Sequence, residues 1–124
     1  MKLLLDTHAL IWWAEDQPMD TAARTAIGSA DSTRFLSAVS VWEAEIKVAI
    51  GKLKIHFDPA TDPLDRGFEP LPITLAHAAA AARLPRHHGD PFDRMLVAQA
   101  QLEGLTIVTR DPVFDNYAVA VLRA

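Results

Sequence analysis

Short apolar runs alternate with helix-like segments along all 124 residues, and this alternation constrains the fold more than any other feature. The runs at Lys2–Asp6 and Leu105–Thr109 are too short for buried helices but fit strands that are covered on both faces. Strands that alternate with helices usually pair in parallel, with the helices on both faces of the sheet. The sequence therefore predicts an α/β fold: a three-layer α/β/α domain around a central, mainly parallel sheet.

The individual elements are predicted from periodicity and from turn residues. Strands are predicted at Lys2–Asp6, Thr33–Ser37, Glu69–Ile73, Leu105–Thr109 and Val119–Leu122. Helices are predicted at Thr7–Glu15, Thr21–Ala30, Ser40–Gly51, Leu75–Leu84 and Asp90–Glu103, with a helical turn in Thr61–Gly67. Pro70 and Pro72 confine the third strand to an edge, because proline has no N–H for an interior ladder. The remainder of Lys52–Gly67 is left unassigned.

The composition indicates one folded domain without covalent crosslinks. Half of the residues are apolar and 23% are charged, and no linker divides the chain, so we predict a single domain over residues 1–124. The absence of cysteine excludes disulfides and thiolate metal sites. Asp6 and His8 interrupt the first apolar run, which is too short for a signal-peptide core or a membrane span. We therefore expect a cytoplasmic protein that is not associated with a membrane.

Four acidic residues lie where predicted strands end and the following helices begin. Asp6 and Asp111 come just after strands, whereas Glu43 and Asp93 are predicted in the first turns of helices. In open α/β sheets, the carboxyl ends of the strands and the amino ends of the following helices share one rim, where ligands bind. We expect these four side chains, called the acidic rim below, to face the same edge of the sheet.

Each of these acids, taken singly, also has a purely structural explanation. Acids are common in first helical turns, where they satisfy free N–H groups. Ser40 and Glu43 match a capping box, and Glu43 with Lys47 matches an i, i+4 ion pair. Asp90 and Asp93 likewise fit an N-cap and an acid in the first turn. For any one acid, the structural explanation is the more common one.

Four carboxylates held close together require a compensating charge, which favours a cation-binding site over four separate structural roles. Two carboxylates 4 Å apart repel by about 4 kcal/mol at an effective dielectric constant near 20, so a proton or a cation has to compensate them. Oxygen ligands without cysteine suit Mg²⁺ or Mn²⁺, either of which can polarise a phosphodiester and activate water. The net charge of −4 is unusual for a protein that binds nucleic acid, but a bound cation would reverse the local field.

Four segments of the sequence, which together span nearly the whole chain, carry a family resemblance. In chain order they are LLLDTHALIWW, SAVSVWEAEIKVAIGKL, HGDPFDRMLVAQA and LTIVTRD. These segments resemble PIN-domain nucleases, and in particular the VapC toxins of VapBC toxin–antitoxin pairs. The resemblance implies a PIN-like fold and an endoribonuclease that depends on Mg²⁺ or Mn²⁺. It also implies neutralisation by a cognate VapB-like antitoxin, and usually a homodimer.

The resemblance also assigns roles to particular residues. The family's catalytic and metal-binding acids fall on Asp6, Glu43, Asp93 and Asp111. Hydroxyl positions that accompany the acids fall on Ser40 and Thr109, and Asp90 of the same motif as Asp93 is either an additional ligand or only the helix cap. Lys47, the i, i+4 partner of Glu43, is a further candidate for a supporting role.

Several other residues are candidates for contact with RNA or with a protein. The cations that flank the acidic rim are candidates for phosphate contact, although ordinary surface solvation explains each equally well; they are Arg86, His87, His88, Arg94 and Arg110. Trp12, Trp13 and Trp42 are candidates for a partner-binding patch. For Trp42 we favour core packing, because it forms an apolar stripe with Ile46, Ala49 and Ile50.

Rival functions fit the sequence less well. A phosphorylated receiver domain needs a lysine after a late strand, where this chain has Arg110. A phosphatase of the Asp-x-Asp type is disfavoured because Asp6 is followed by Thr7-His8. The alternative that we keep is a non-catalytic RNA- or protein-binding module on the same fold.

Overall fold

The computed structural model describes residues 1–124, and strands and helices alternate as predicted. The strands are β1 (Lys2–Leu5), β2 (Thr33–Ser37), β3 (Glu69–Leu71), β4 (Thr106–Thr109) and β5 (Ala120–Arg123). The helices are α1 (Thr7–Ala14), α2 (Thr21–Gly28), α3 (Ala38–Ala49), α4 (Asp62–Asp65), α5 (Leu75–Arg83) and α6 (Pro91–Glu103), with a 3₁₀ helix at Pro112–Asn116. None of these helices combines the length and the hydrophobicity needed to cross a bilayer.

The five strands form one sheet in the order β3-β2-β1-β4-β5, and every neighbouring pair is parallel. After β1 the chain builds outward through β2 and β3, and then returns to add β4 and β5 on the other side of β1. The strand order therefore reverses between β1 and β4, which is where ligands bind in sheets of this kind. The prediction of a mainly parallel α/β/α domain is confirmed.

The core has two parts, one on each face of the sheet. Because successive side chains of a strand point to opposite faces, Leu4 packs in one cluster while Leu3 and Leu5 pack in the other. The first cluster also contains Ile107 and the inner face of α6, and the second contains the inner faces of α1 and α2. The sheet is thus covered on both faces, and β1 lies at its centre.

Helix α3 begins earlier than predicted, and this changes the position of Glu43. Ser37, the last residue of β2, caps the helix: its hydroxyl oxygen accepts a hydrogen bond from the Val39 N–H at 3.1 Å. The predicted capping box of Ser40 and Glu43 is therefore wrong, and Glu43 lies in the second turn. Strand β2 runs directly into the helix, so its final residue already occupies the capping position.

The buried face of α3 is also not the apolar stripe that the periodicity predicted. The buried residues of this helix are Val39, Ser40, Glu43 and Ala44, whereas Trp42 is 58% exposed. The prediction that Trp42 packs in the core is wrong. The spacing of apolar residues identifies one face of a helix but does not show whether that face points to the core. In α3 the buried face includes Glu43, which accepts hydrogen bonds inside the fold.

A buried polar network ties α5 and α6 to the start of α3. Gln99 of α6 is fully buried; its amide oxygen accepts a hydrogen bond from the Ser37 hydroxyl at 2.5 Å, and its amide nitrogen donates to the Pro72 carbonyl at 3.3 Å. His77 is also buried: its Nδ1 accepts from the Thr74 N–H at 3.0 Å, so its Nε2 is free to donate to a carboxylate of α6. Through Gln99, the network holds Ser37, the residue that caps α3, in position.

Replacing Gln99 with leucine is expected to destabilise the fold by about 1–3 kcal/mol, because the Ser37 hydroxyl and the Pro72 carbonyl would lose a buried partner. Urea unfolding, monitored by circular dichroism, measures this loss. Gln101→Leu, at an exposed position of the same helix, is the matched control and should change stability by less than about 0.5 kcal/mol. Equal effects of the two substitutions would show that the network does not contribute.

Candidate active site

Asp6 lies at the end of the central strand and is almost completely buried, with 6% of its surface exposed. One carboxylate oxygen caps α1 by accepting the Ala9 N–H at 2.8 Å. The other accepts a hydrogen bond from the Thr109 hydroxyl at 2.5 Å. Burial raises the pKa of Asp6, and these two hydrogen bonds oppose that rise without cancelling it. The fold therefore holds Asp6 in a fixed position but leaves its charge incompletely compensated.

Thr109 connects the ends of the two central strands. Its hydroxyl donates to Asp6 and accepts the Asp111 N–H at 3.1 Å. Asp111 in turn caps the 3₁₀ helix, with one carboxylate oxygen accepting the Val113 N–H at 2.9 Å. The hydroxyl predicted to support the acids thus sits between two of them.

We expect Thr109→Val to reduce the activity of the site by about 10- to 100-fold, the usual cost of losing an outer partner of a metal ligand. The substitution keeps the shape of the side chain, which is nearly fully buried, but removes the hydrogen bond that orients Asp6. Mn²⁺ affinity, measured by titration calorimetry, should fall together with the cleavage rate. Thr106→Val, at the start of the same strand, is the control; a Thr109 variant with the affinity of that control would contradict the assigned role.

Glu43 approaches the site from α3 and is 2% exposed. One of its oxygens accepts the Thr7 hydroxyl at 2.5 Å, and the other accepts the Lys47 ammonium at 2.8 Å. The predicted ion pair with Lys47 is therefore present. The hydrogen bond to Glu43 is the main cause of a raised pKa at Lys47, and the charges of Asp90 and Asp93 add to it. Lys47 thus faces the acids of both α3 and α6.

Asp93 lies in the first turn of α6, as predicted, next to Asp90, which caps the helix by accepting the N–H groups of Phe92 and Asp93. Nδ1 of His88 accepts the Asp90 N–H at 3.3 Å, so its Nε2 carries the proton and donates to Asp93 at 2.7 Å. The same Nε2 lies 3.7 Å from a carboxylate oxygen of Asp111. His88 therefore bridges acids from two elements.

Neighbouring carboxylates add to the raised pKa values of Asp6 and Asp93. The pKa of Asp93 is raised to about 7, first by burial and then by the charges of Asp90 and Asp6, against the hydrogen bond from His88. The charge of Glu43 also contributes to the raised pKa of Asp6. Asp6, Glu43 and Asp93 thus form one electrostatic unit, and Asp111 joins it through His88.

The donor set suits a hard divalent cation, which prefers oxygen ligands. Ligand atoms of His88, Asp90 and Asp93 lie within 4.8 Å of one another. The buried hydroxyl of Ser40, one helical turn before Glu43, has no hydrogen-bond partner, so this part of the site retains an unused oxygen. The residues present therefore fit a metal, although the closest grouping includes a histidine and is not the predicted set of four acids alone.

Two residues of the site were missed or assigned a different role by the sequence analysis. Thr7 holds Glu43, and its position directly after Asp6 was the only signal available. His88 was a candidate for RNA contact, which stays a prediction; the structure adds that its ring binds Asp93 inside the site. Neither contact could be derived from spacing, because each joins segments that are distant in the sequence or separated by an irregular loop.

The arginines that are candidates for RNA contact differ in exposure and in the hydrogen bonds that they already make within the chain. The Arg94 guanidinium donates to carbonyl oxygens at the end of α5 and beyond it, including those of Ala81 at 2.9 Å and Pro85 at 3.0 Å. Arg110 stacks on Trp12, with its guanidinium carbon 3.9 Å from the ring centroid, and donates within the chain. Both guanidinium groups are therefore engaged in contacts that hold parts of the chain together. Arg86 is exposed on a cleft of about 250 Å³ next to His88 and is the freest of the group.

The other two tryptophans are packed against arginines. Trp12 lies under Arg110, and Trp13 contacts Phe68 and has the Arg66 guanidinium carbon 4.5 Å from its ring centroid. Both indoles are half-buried and pack against the second core cluster. The most exposed tryptophan is Trp42.

Comparisons with known proteins agree with this architecture. Residues 3–120 match the PIN domain family. The chain is 36% identical over 118 residues to Ribonuclease VapC22 of Mycobacterium tuberculosis, an alignment that covers 88% of this chain and 86% of that protein.

Two solved structures illustrate the likeness of the fold. The VapBC2 complex of Rickettsia felis, bound to a DNA fragment from its promoter, contains a chain that matches with a TM-score of 0.75 at 14% identity, covering 100% of this chain and 99% of that one. The DNA-bound VapBC of Salmonella typhimurium contains one that matches with a TM-score of 0.68 at 18% identity, covering 99% and 98%. With the family match and the curated relative, these findings establish that the chain belongs to the PIN-domain family.

Proposed function

We propose that this chain is a metal-dependent endoribonuclease and the toxin of a VapBC-type toxin–antitoxin pair. The observation that carries the proposal is the gathering of Asp6, Glu43 and Asp93 near the point where the strand order reverses. Burial raises the pKa of Asp6 and of Asp93, and the charges of Glu43 and Asp6, respectively, add to these rises. Acids that repel one another in the same site are stabilised when a cation binds between them. The 36% identity to a protein named as a ribonuclease supports RNA as the substrate.

The proposed cofactor is Mg²⁺ or Mn²⁺, held by Asp6 and Asp93 with Glu43 and Asp111. When bound, such a cation polarises the scissile phosphodiester and lowers the pKa of an attacking water. Asp90 caps α6, and one of its ligand atoms lies within 4.8 Å of ligand atoms of Asp93 and His88. Each acid is held by a neighbouring group, so the ligands are already oriented before a metal binds.

The residues around the acids have supporting roles in this proposal. Thr109 and Thr7 orient Asp6 and Glu43, and Lys47 offsets part of the negative charge. His88 orients Asp93 through its Nε2–H. Ser40 contributes an unpaired hydroxyl close to Glu43. Arg86, exposed beside this edge, is the strongest candidate for binding an RNA phosphate, whereas Arg94 and Arg110 would have to give up hydrogen bonds within the chain.

The proposed partners rest on the VapBC complexes of Rickettsia felis and Salmonella typhimurium, both bound to DNA, and on VapBC-5 of Mycobacterium tuberculosis, a member of the VapBC family of toxin–antitoxin systems. We propose that a VapB-like antitoxin binds this chain and inhibits cleavage, and that the chain forms a homodimer. Light scattering of the isolated chain measures the second of these directly.

The function is tested by incubating the purified, antitoxin-free chain with an end-labelled mixed RNA pool in Mg²⁺, in Mn²⁺ and in EDTA. We expect discrete cleavage products with either cation and none with EDTA, and sequencing of the cut ends identifies the target. Intact RNA in every reaction, with Mn²⁺ shown by calorimetry to be bound, would contradict the ribonuclease proposal. Retention of RNA without cleavage would instead favour a non-catalytic binding module.

A further inference from the structure

Trp42 presents a large aromatic ring to solvent at the edge of the candidate active site. The residue is 58% exposed, although burial of an indole would normally stabilise a fold considerably. Its only close aromatic neighbour is Phe92 of α6, with ring centroids 5.1 Å apart and an interplanar angle of 72°. Trp42 therefore keeps much of its ring surface uncovered by the chain itself.

Phe92 holds the indole in a defined orientation. Its own ring is half-buried and packs against the larger core cluster, and its N–H donates to a carboxylate oxygen of Asp90 at 2.8 Å. The edge-to-face geometry is one that aromatic pairs prefer. An exposed ring that is fixed from behind loses little conformational freedom when a flat ligand covers it.

The aromatic pair joins the two helices that carry Glu43 and Asp93. Phe92 contacts Trp42, and its N–H donates at 2.8 Å to a carboxylate oxygen of Asp90. Ligand atoms of Asp90 and Asp93 lie within 4.8 Å of one another, so a short series of contacts links the Trp42 ring to the acids. In RNA, the bases on either side of a phosphodiester are attached to it through their riboses. We therefore expect a base next to a phosphate bound at the acids to reach Trp42.

The charge distribution also favours stacking as a source of affinity. The chain carries a net charge of −4, and two of the arginines near this edge are occupied by hydrogen bonds within the chain. Phosphate contacts are therefore few, whereas every base offers a π face to an aromatic side chain. We propose that Trp42, backed by Phe92, is a stacking site for an unpaired base next to the scissile phosphate of single-stranded RNA, an inference that rests on the proposed ribonuclease function.

A protein partner is the competing occupant of this surface, and Ile50 distinguishes the two. Ile50 follows the last residue of α3, is 59% exposed and lies about 12 Å along the helix axis from Trp42. A helical partner laid along α3 would cover both residues, whereas a single stacked base would cover only Trp42. Ile50→Ala is therefore a matched control: it truncates an equally exposed side chain just after the end of the same helix, but it should leave the affinity for RNA nearly unchanged.

The test measures binding and cleavage separately. Binding is measured by anisotropy with a fluorescein-labelled, mixed-sequence RNA dodecamer. The non-cleaving background is Asp93→Asn, at a Mn²⁺ concentration that calorimetry shows to saturate this variant. Adding Trp42→Ala should weaken binding by about 5- to 100-fold, whereas adding Trp42→Phe or Ile50→Ala should change it by less than about threefold. With Asp93 intact, Trp42→Ala should raise KM by a similar factor and leave kcat nearly unchanged, because stacking is equal in the ground and transition states.

Replacing the base next to the mapped cleavage site with an abasic nucleotide should weaken binding to the native chain as much as Trp42→Ala does. In the Trp42→Ala variant, the abasic nucleotide should cause little further loss of affinity. If Trp42→Ala cleaves RNA with the native KM, or weakens antitoxin binding while RNA binding is unchanged, the stacking site is overturned. Absence of cleavage by the native chain contradicts the proposed function instead. RNA binding that still depends on Trp42 would then leave the stacking site standing.

Discussion

Asparagine in place of Asp93 is expected to lower the rate of RNA cleavage by about three orders of magnitude or more, which corresponds to several kcal/mol of lost transition-state stabilisation. The only hydrogen bond that the Asp93 carboxylate accepts is from His88 through one oxygen, which leaves the other free to ligate a cation. Asparagine has nearly the same shape but no charge. Initial rates at saturating Mn²⁺ measure the loss of activity, and calorimetry measures the accompanying loss of Mn²⁺ affinity.

The same substitution should not destabilise the metal-free protein. Asp93 is repelled by Asp90 and Asp6, so a neutral side chain relieves an unfavourable interaction. We expect Asp93→Asn in EDTA to unfold at the same temperature as the native chain or higher. Asp65→Asn, which removes one charge from an exposed helix, is the control and should keep full activity. Cleavage by Asp93→Asn within tenfold of the native rate would remove Asp93 from the catalytic site.

The stability of the metal-free protein is expected to fall as the pH rises from about 4 to about 7. Asp93 has a pKa near 3.8 when unfolded and about 7 in the fold, so between these values the folded state keeps a proton that unfolding releases. The stabilisation is complete below about pH 4 and is lost as the pH passes 7, with a size of about 1–3 kcal/mol. Urea unfolding in EDTA at pH 5 and pH 8 measures it, and Asp93→Asn should show a shallower dependence.

Mn²⁺ should reverse this loss. A cation that binds only the folded state at one hundred times its Kd stabilises by about 2.7 kcal/mol, and it competes with the proton on Asp93. The increase in Tm on adding Mn²⁺ should therefore be larger at pH 8 than at pH 5. An equal increase at the two pH values, or an equal increase in Asp93→Asn, would place the bound cation elsewhere on the chain.

The sequence alone was sufficient to predict the fold class and most elements, because those features depend on local information. The edge position of β3 was predictable because Pro70 and Pro72 lack the N–H groups of an interior strand, and β3 is indeed an edge strand. The end of α6 was predictable from Gly104, which adopts the left-handed conformation at φ 68°. The rule that strand ends meet at one rim also placed Asp6 and Asp93 among the candidate acids.

Only the tertiary structure decided which groups contact one another and which face of α3 is buried. The apolar stripe of α3 predicted a buried Trp42, but the helix turns Glu43 inward, because Thr7 and Lys47 satisfy both of its oxygens there. Likewise, His88 joins the acids only because its loop returns to the start of α6. Periodicity records the spacing of side chains along one element, whereas burial and hydrogen bonding depend on neighbours that the chain brings in from distant positions.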